Sequence, residues 1–225
     1  MEALVIAIDG PAGVGKTTTS KRVALALGIP HIDTGAMYRA IALKALRAGV
    51  STGDEVALSR IAEQTSIRFV PSLDRPTVLL DGEDVSEAIR TPEISMAASD
   101  VSAVPAVRRE LVRLQRELGR QSGGVLEGRD IGTKVFPDTP HKFFLTARPE
   151  VRAGRRLHDL EERGIRMSFE QVYEEMSRRD QQDSSRADSP LSYDESYTVI
   201  DTSDHSIDEV VDQIVRRIRQ SSHAS

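Results

Sequence analysis

The chain has 225 residues, with 30 Lys plus Arg against 35 Asp plus Glu, a formal net charge of −5 and no cysteine. That length suits one sizeable core with small appendages better than two independent domains, and the mild acidity argues against a general nucleic-acid binder. The lack of thiols excludes disulfides, thiolate metal sites and a cysteine nucleophile, which fits the cytoplasm, and no apolar run approaches bilayer-spanning length.

The first element is the apolar run Leu4-Val5-Ile6-Ala7-Ile8. It is too short for a signal peptide and has no basic lead-in, so it reads as a core strand. It leads into Gly10-Pro11-Ala12-Gly13-Val14-Gly15-Lys16-Thr17, the full phosphate-cradling P-loop pattern, followed by Thr18 and a helix predicted over Lys16–Leu27 that Gly28 stops. The glycines let successive N–H groups face phosphate oxygens, and the helix presents its positive end to the same anion. Lys16 suits the outer phosphates of a nucleoside triphosphate, and the Thr17 hydroxyl suits magnesium.

Residues 29–32 form a second predicted strand ending at Asp33. Helices follow over 37–46, with Gly49 as the stop, and over 54–64. The period then changes: 66–70 and 76–80 read as extended, joined by a Pro/Ser/Asp turn and followed by Asp81-Gly82, which makes a small antiparallel β insert. From Pro105, Val107, Leu111, Leu114 and Leu118 mark a helix whose opposite face carries Arg109, Arg113, Arg116 and Arg120, and Gly123-Gly124 ends it. Residues 125–127, 142–145 and 197–200 are further strands, and 150–183 is a charged helical stretch. Residues 206–219 form a last amphipathic helix with Ser206 and Glu209 at capping-box positions, before a frayed tail over 221–225. Strands alternating with helices predict an α/β fold with a central, mostly parallel sheet flanked by helices on both faces, ligands binding at the carboxyl ends of its strands.

A P-loop serves GTPases, motor ATPases and small-molecule kinases alike. The guanine-reading Asn-Lys-x-Asp element is excluded, since the chain contains no asparagine, and no pair of acids closes an apolar strand as in a motor ATPase. A kinase needs a second anion pocket, and three segments supply residues for one. Asp33-Thr34-Gly35-Ala36-Met37-Tyr38-Arg39 ends the second strand, Gly128-Arg129-Asp130-Ile131-Gly132-Thr133 follows another, and Arg179, Asp183 and Arg186 stand at i, i+4 and i+7 on the charged helix. Any of these arginines also admits the plain reading of a solvated ion pair. Arg39 and Arg129 follow strands where the cleft of such a sheet lies, which favours phosphate recognition by their forked donors.

Taken together, GPAGVGKTT, DTGAMYR, the β insert ending in Gly82-Glu83-Asp84-Val85-Ser86, Ala97-Ala98-Ser99 with Val107-Arg108, GRDIGTKVFPDT, and Arg179-Asp180 to Arg186 resemble bacterial cytidylate kinases over nearly the whole chain. The GRD-x-GT-x-VFPD segment and the β insert are more particular to that family than the P-loop is. The resemblance implies the P-loop nucleoside monophosphate kinase fold, ATP with magnesium as donor, CMP or dCMP as acceptor, and a cytoplasmic monomer with no nucleic-acid or membrane partner. It divides the chain into a discontinuous core (about 1–33, 104–150 and 187–225), a nucleoside monophosphate-binding region carrying the β insert (about 34–103) and a helical lid (about 151–186).

By the same resemblance, Lys16, Arg39, Arg129 and Arg186 stabilise the transferred phosphoryl group. Thr34 and Tyr38 belong to the acceptor site, Ser99, Arg108 and Asp130 read the cytosine, and Arg179 and Asp183 engage the sugar. Arg152 and Arg156 belong to a lid over the triphosphate, with a surface-helix role left open for either. Where the family often carries serine, this chain has Ala12 and Thr34, and the second keeps the hydroxyl. The acceptor is an already anionic phosphate oxygen, so no general base is predicted.

Overall fold

The computed structural model describes residues 3–70, 77–186 and 188–222. Strand β1 (Val5–Asp9) is buried along its whole length, as a continuous apolar run between two helical layers must be. It is the middle strand of a five-stranded sheet in the order β2-β6-β1-β7-β8, with β2 (His31–Asp33), β6 (Gly124–Gly128), β7 (Lys142–Thr146) and β8 (Thr198–Asp201). Every neighbouring pair is parallel. The register sets Asp9 beside Gly128 and Asp33 beside Glu127, so β1, β6 and β2 finish level at one edge. The chain crosses from β1 to strands on both of its sides, which makes that edge the switch point where open α/β sheets bind ligands.

Helices α1 (Lys16–Leu27) and α8 (Ile207–Ser222) cover one face. Val210, Val211, Ile214, Val215 and Ile218 of α8 form an apolar stripe against Val23, Ala24, Ile6, Ile8 and Phe143. Ser206 and Glu209 bond reciprocally at its start, as a capping box requires. The helix runs on through Ser222, into the first two residues of the tail expected to fray, and residues 223–225 lie outside the described residues.

On the other face, α5 (Pro105–Ser122) packs Val112 and Leu118 toward Ala7, Ile32 and Leu126. Its Val107 and Leu111 join a larger cluster with α2 (Thr34–Arg47), α3 (Glu55–Glu63), α4 (Pro92–Val101) and the β insert. That insert is an antiparallel sheet of β3 (Ile67–Val70), β4 (Thr77–Leu80) and β5 (Glu83–Asp84). Its expected Pro/Ser/Asp turn falls in 71–76, outside the described residues. Among the described residues, no helix is long and apolar enough to cross a membrane.

Four features depart from the sequence reading. Helix α2 starts three residues earlier than expected because the Asp33 side chain accepts from the Ala36 N–H at 3.0 Å, so the last strand residue doubles as an N-cap. Helix α4 was not anticipated; Thr91 caps it and Pro92 opens it. The charged stretch is two helices, α6 (Pro149–Glu161) and α7 (Phe169–Ser185). Gly164 between them takes a φ of 73°, and Ser168 with Gln171 forms a capping box that restarts the chain. Beyond β6 the chain makes a wide π-type turn over Ile131–Val135. The fully buried Asp9 carboxylate holds it, accepting from the Ile131 and Gly132 N–H groups at 2.9 Å each and from the Tyr197 hydroxyl at 2.8 Å.

Gly119 sits where α5 meets that turn, and a Cβ there would lie 2.4 Å from the Phe136 ring. Alanine gains about 1 kcal/mol of helix propensity over glycine, but the ring, packed behind the turn, cannot retreat freely. Gly119→Ala is therefore expected to lower the unfolding free energy by about 2 kcal/mol net, read as an earlier midpoint in urea titration.

Candidate active site

The level ends of β1, β2 and β6 open into a cleft of about 690 Å³. One wall is the P-loop. Gly13 has a φ of +77°, and a Cβ there would stand 2.9 Å from the Arg152 carbonyl oxygen, so only glycine lets the loop lie against α6. Ala12, Gly13, Gly15, Lys16, Thr17 and Thr18 line the cleft, whereas Val14 is buried in the core beneath and Gly10 and Pro11 carry the chain up to the rim. The Lys16 Nζ donates to the Pro11 carbonyl at 2.6 Å. Burial, with Arg129 close by, pushes the Lys16 ammonium well below its ordinary pKa, a cost that a polyphosphate's counter-charge relieves.

Thr17 donates its hydroxyl to Glu127 Oε2 at 3.0 Å, and the other Glu127 oxygen lies 2.9 Å from His31 Nε2. Among the described residues, no group of three or more His, Cys, Asp or Glu side chains could cage a metal ion. Magnesium fits here in its usual manner, with one or two protein oxygens and the remaining positions taken by phosphate and water. Thr17 and Glu127 would supply those oxygens.

The facing wall is built of arginines held by acids. Arg39 meets Asp33 at 2.6 Å, and the Arg129 Nε donates to Asp183 at 2.9 Å. Arg186, just past the end of α7, pairs with the other Asp183 oxygen and donates to the Ser102 hydroxyl at 2.7 Å. Burial alone would raise the Asp183 carboxyl, but Arg129, Arg186 and Arg179 outweigh it and hold the pKa below the ordinary value. At the far end Arg108 pairs with Asp130, donates to the Ser102 carbonyl at 3.1 Å and stands 5.6 Å over the Tyr38 ring. Ser99, on α4, donates to Gln182 of α7 at 2.9 Å.

Arg156 and Arg179 also line the cleft, and burial, with Arg129 adding to it, lowers the Arg179 pKa to about 10. Arg152 does not line it: its guanidinium lies under the P-loop, 2.6 Å from Asp180 and 3.3 Å from the Ala12 carbonyl. Thr34 lines the cleft, but its hydroxyl proton goes to the Glu127 carbonyl at 2.7 Å, so it offers lone pairs and no donor. The structure thus gathers Lys16, Thr17, Arg39, Arg108, Arg129, Asp130, Arg156, Arg179, Asp183 and Arg186 around one space.

Glu127, His31, Ser102 and Gln182 were not singled out from sequence. An acid closing the apolar run Val125-Leu126 was the available signal for Glu127, and the other three carried none. The Nε–H donors of Arg39, Arg108, Arg179 and Arg186 are buried without a partner among the described residues. Leaving such donors dry is costly, so four in one cleft point to a ligand rich in acceptors.

A wholly parallel sheet with a P-loop at its switch point and arginines facing it defines a P-loop kinase. The family profile described as cytidylate kinase matches residues 6–220. The cytidylate kinase of Caldanaerobacter subterraneus subsp. tengcongensis is 49% identical over 217 residues, covering 96% of this chain and 95% of its own length. That of Anoxybacillus flavithermus is 50% identical over 210 residues, 93% of each chain. Among solved structures, an uncharacterized protein from Eubacterium ventriosum superposes with a TM-score of 0.54 at 12% identity over 96% of this chain and 98% of its own, a likeness of fold. The chain belongs to the cytidylate kinase family.

Proposed function

We propose that the protein transfers the terminal phosphoryl group of ATP to CMP or dCMP, releasing ADP and CDP or dCDP. The observation that carries this reading is the pair of facing cationic walls, with unpartnered guanidinium donors waiting between them. Family membership supplies the nucleotide class. The P-loop amides and Lys16 hold the triphosphate, and Arg39, Arg129 and Arg186 grip the acceptor phosphate and spread charge off the transferred group. Thr17 and Glu127 would hold magnesium, which when bound would supply charge neutralisation at the phosphates. Bringing two polyanions in line is most of the catalytic task, and the acceptor oxygen is already anionic, so the chain supplies no base.

In this reading residues 34–103 form the acceptor-binding region and 151–186 the lid, carried by α6 and α7. Arg156 approaches the triphosphate directly, whereas Arg152 braces the P-loop from behind. Closure of the lid keeps out water, the competing acceptor. The protein works as a cytoplasmic monomer without nucleic-acid or membrane partners.

Coupled ADP release across the nucleoside monophosphates tests the assignment: CMP and dCMP are expected to turn over fastest, and equal or faster turnover of AMP would remove it. Replacing Asp130 with asparagine puts an amide where a carboxylate faces the exocyclic amine of cytosine. A drop of about a hundredfold in kcat/KM for CMP is expected, from a buried mismatch of a few kcal/mol, with ATP affinity retained in calorimetry.

A further inference from the structure

We infer that Gln182 sets the selectivity for cytosine over uracil by dictating which way the Ser99 hydroxyl points. This rests on the CMP reading above. A serine hydroxyl has one proton and two lone pairs. In this cleft the Ser99 proton goes to Gln182 Oε1 at 2.9 Å, and Ser99 is only 7% exposed, so water does not readily compete for it. With its proton committed, Ser99 can only accept.

The neighbouring groups are tied into the same bonded chain. Ser102 donates its hydroxyl to the Ser99 carbonyl at 2.7 Å, and Arg108 donates to the Ser102 carbonyl while pairing with Asp130. That end of the cleft therefore offers two acceptors, the Ser99 oxygen and the Asp130 carboxylate, beside one unpartnered donor, the Arg108 Nε–H. Such a pattern fits a base edge with an exocyclic amine next to ring acceptors. Uracil presents a carbonyl in place of the amine and would set acceptor against acceptor twice.

Were Gln182 unable to accept, the Ser99 hydroxyl would be free to rotate and donate to that carbonyl, relieving one of the two mismatches. Gln182 is thus a positioning residue acting through Ser99. It comes from α7 while Ser99 comes from α4, so the restriction applies when the two sides of the cleft are together.

The experiment compares kcat/KM for CMP and for UMP in wild type, Gln182→Met and Gln182→Glu, with the KM for ATP as a second readout. Methionine keeps the length and loses the acceptor; glutamate keeps an acceptor and has no donor. Gln182→Met is expected to reduce the CMP-to-UMP ratio about tenfold, the worth of one oriented hydrogen bond, with the change falling on acceptor KM and the KM for ATP staying put. Gln182→Glu should restore the wild-type ratio. A methionine variant as selective as wild type overturns the inference, as does a glutamate variant that loses as much as the methionine one, since the amide N–H would then be the working group. A rise in ATP KM matching the lost selectivity overturns it too, by showing a displaced α7. Wild-type enzyme indifferent to the base would instead overturn the CMP reading itself.

Discussion

Lys16→Ala is expected to lower kcat about a thousandfold, the scale seen when a preorganised charge is removed from a transition state. The lysine is the P-loop's only side-chain cation, and among the described residues its ammonium donates to the Pro11 carbonyl within the same loop. The core beneath does not depend on it: the side chain is buried by the loop, and its dry, depressed ammonium stabilises the fold little. Single-turnover phosphoryl transfer should collapse while the far-ultraviolet circular dichroism and the urea midpoint stay near wild type. Undiminished transfer would take the P-loop out of the mechanism.

The second large effect is expected at Asp183. Its two oxygens hold Arg129, from the end of β6, and Arg186, from the end of α7, so one carboxylate fixes two arginines of the cleft and ties the helix to the sheet. Asp183→Asn leaves both guanidinium groups without their counter-charge at a site only 2% exposed. A loss of about 3 kcal/mol in unfolding free energy is expected, as for a buried pair stripped of one partner, together with at least about a hundredfold fall in kcat/KM from misplaced arginines.

The pH dependence follows from the direction of the Asp183 shift. Its folded pKa lies below the ordinary 3.8, so in the window between the two values the unfolded chain binds more protons. The stabilisation is complete above that value and disappears as pH falls through the folded one. The gap between wild type and Asp183→Asn in urea unfolding should therefore be constant above about pH 5 and close on further acidification. A gap that widened in acid would show that the two arginines do not hold this carboxylate ionised.

Much of the scaffold could be read in one dimension because its signals are local. Helix α1 begins at Lys16 and ends at Gly28 because the P-loop turn and a left-handed glycine bound it, and both are short-range facts. Strands β1, β6 and β7 are legible through their apolar runs Val5-Ile6-Ala7-Ile8, Val125-Leu126 and Phe143-Phe144-Leu145. Helix α4 escaped because, although Ile94, Ala97, Ala98 and Val101 stand at helical spacing, two of those four are alanines with little apolar signal, and its burial comes chiefly from α2, which is distant in sequence. The single charged stretch resolved into α6 and α7 because solvated helices carry few apolar markers of where one ends.

The amino-acid order by itself determined that a triphosphate-binding loop follows a central strand, and that basic segments after two other strands share the cleft end of the sheet. Spacing and backbone geometry at neighbouring residues suffice for that. Only the tertiary structure decided the partnerships: Thr17 with Glu127 across 110 positions, Arg129 with Asp183 across 54, Ser99 with Gln182 across 83. It also decided that Arg152 lies beneath the loop and Arg156 in the cleft, although the two stand one helical turn apart. A side chain's proton and charge are assigned by whichever groups folding brings within about 3 Å, and strand register and helix docking set those neighbours.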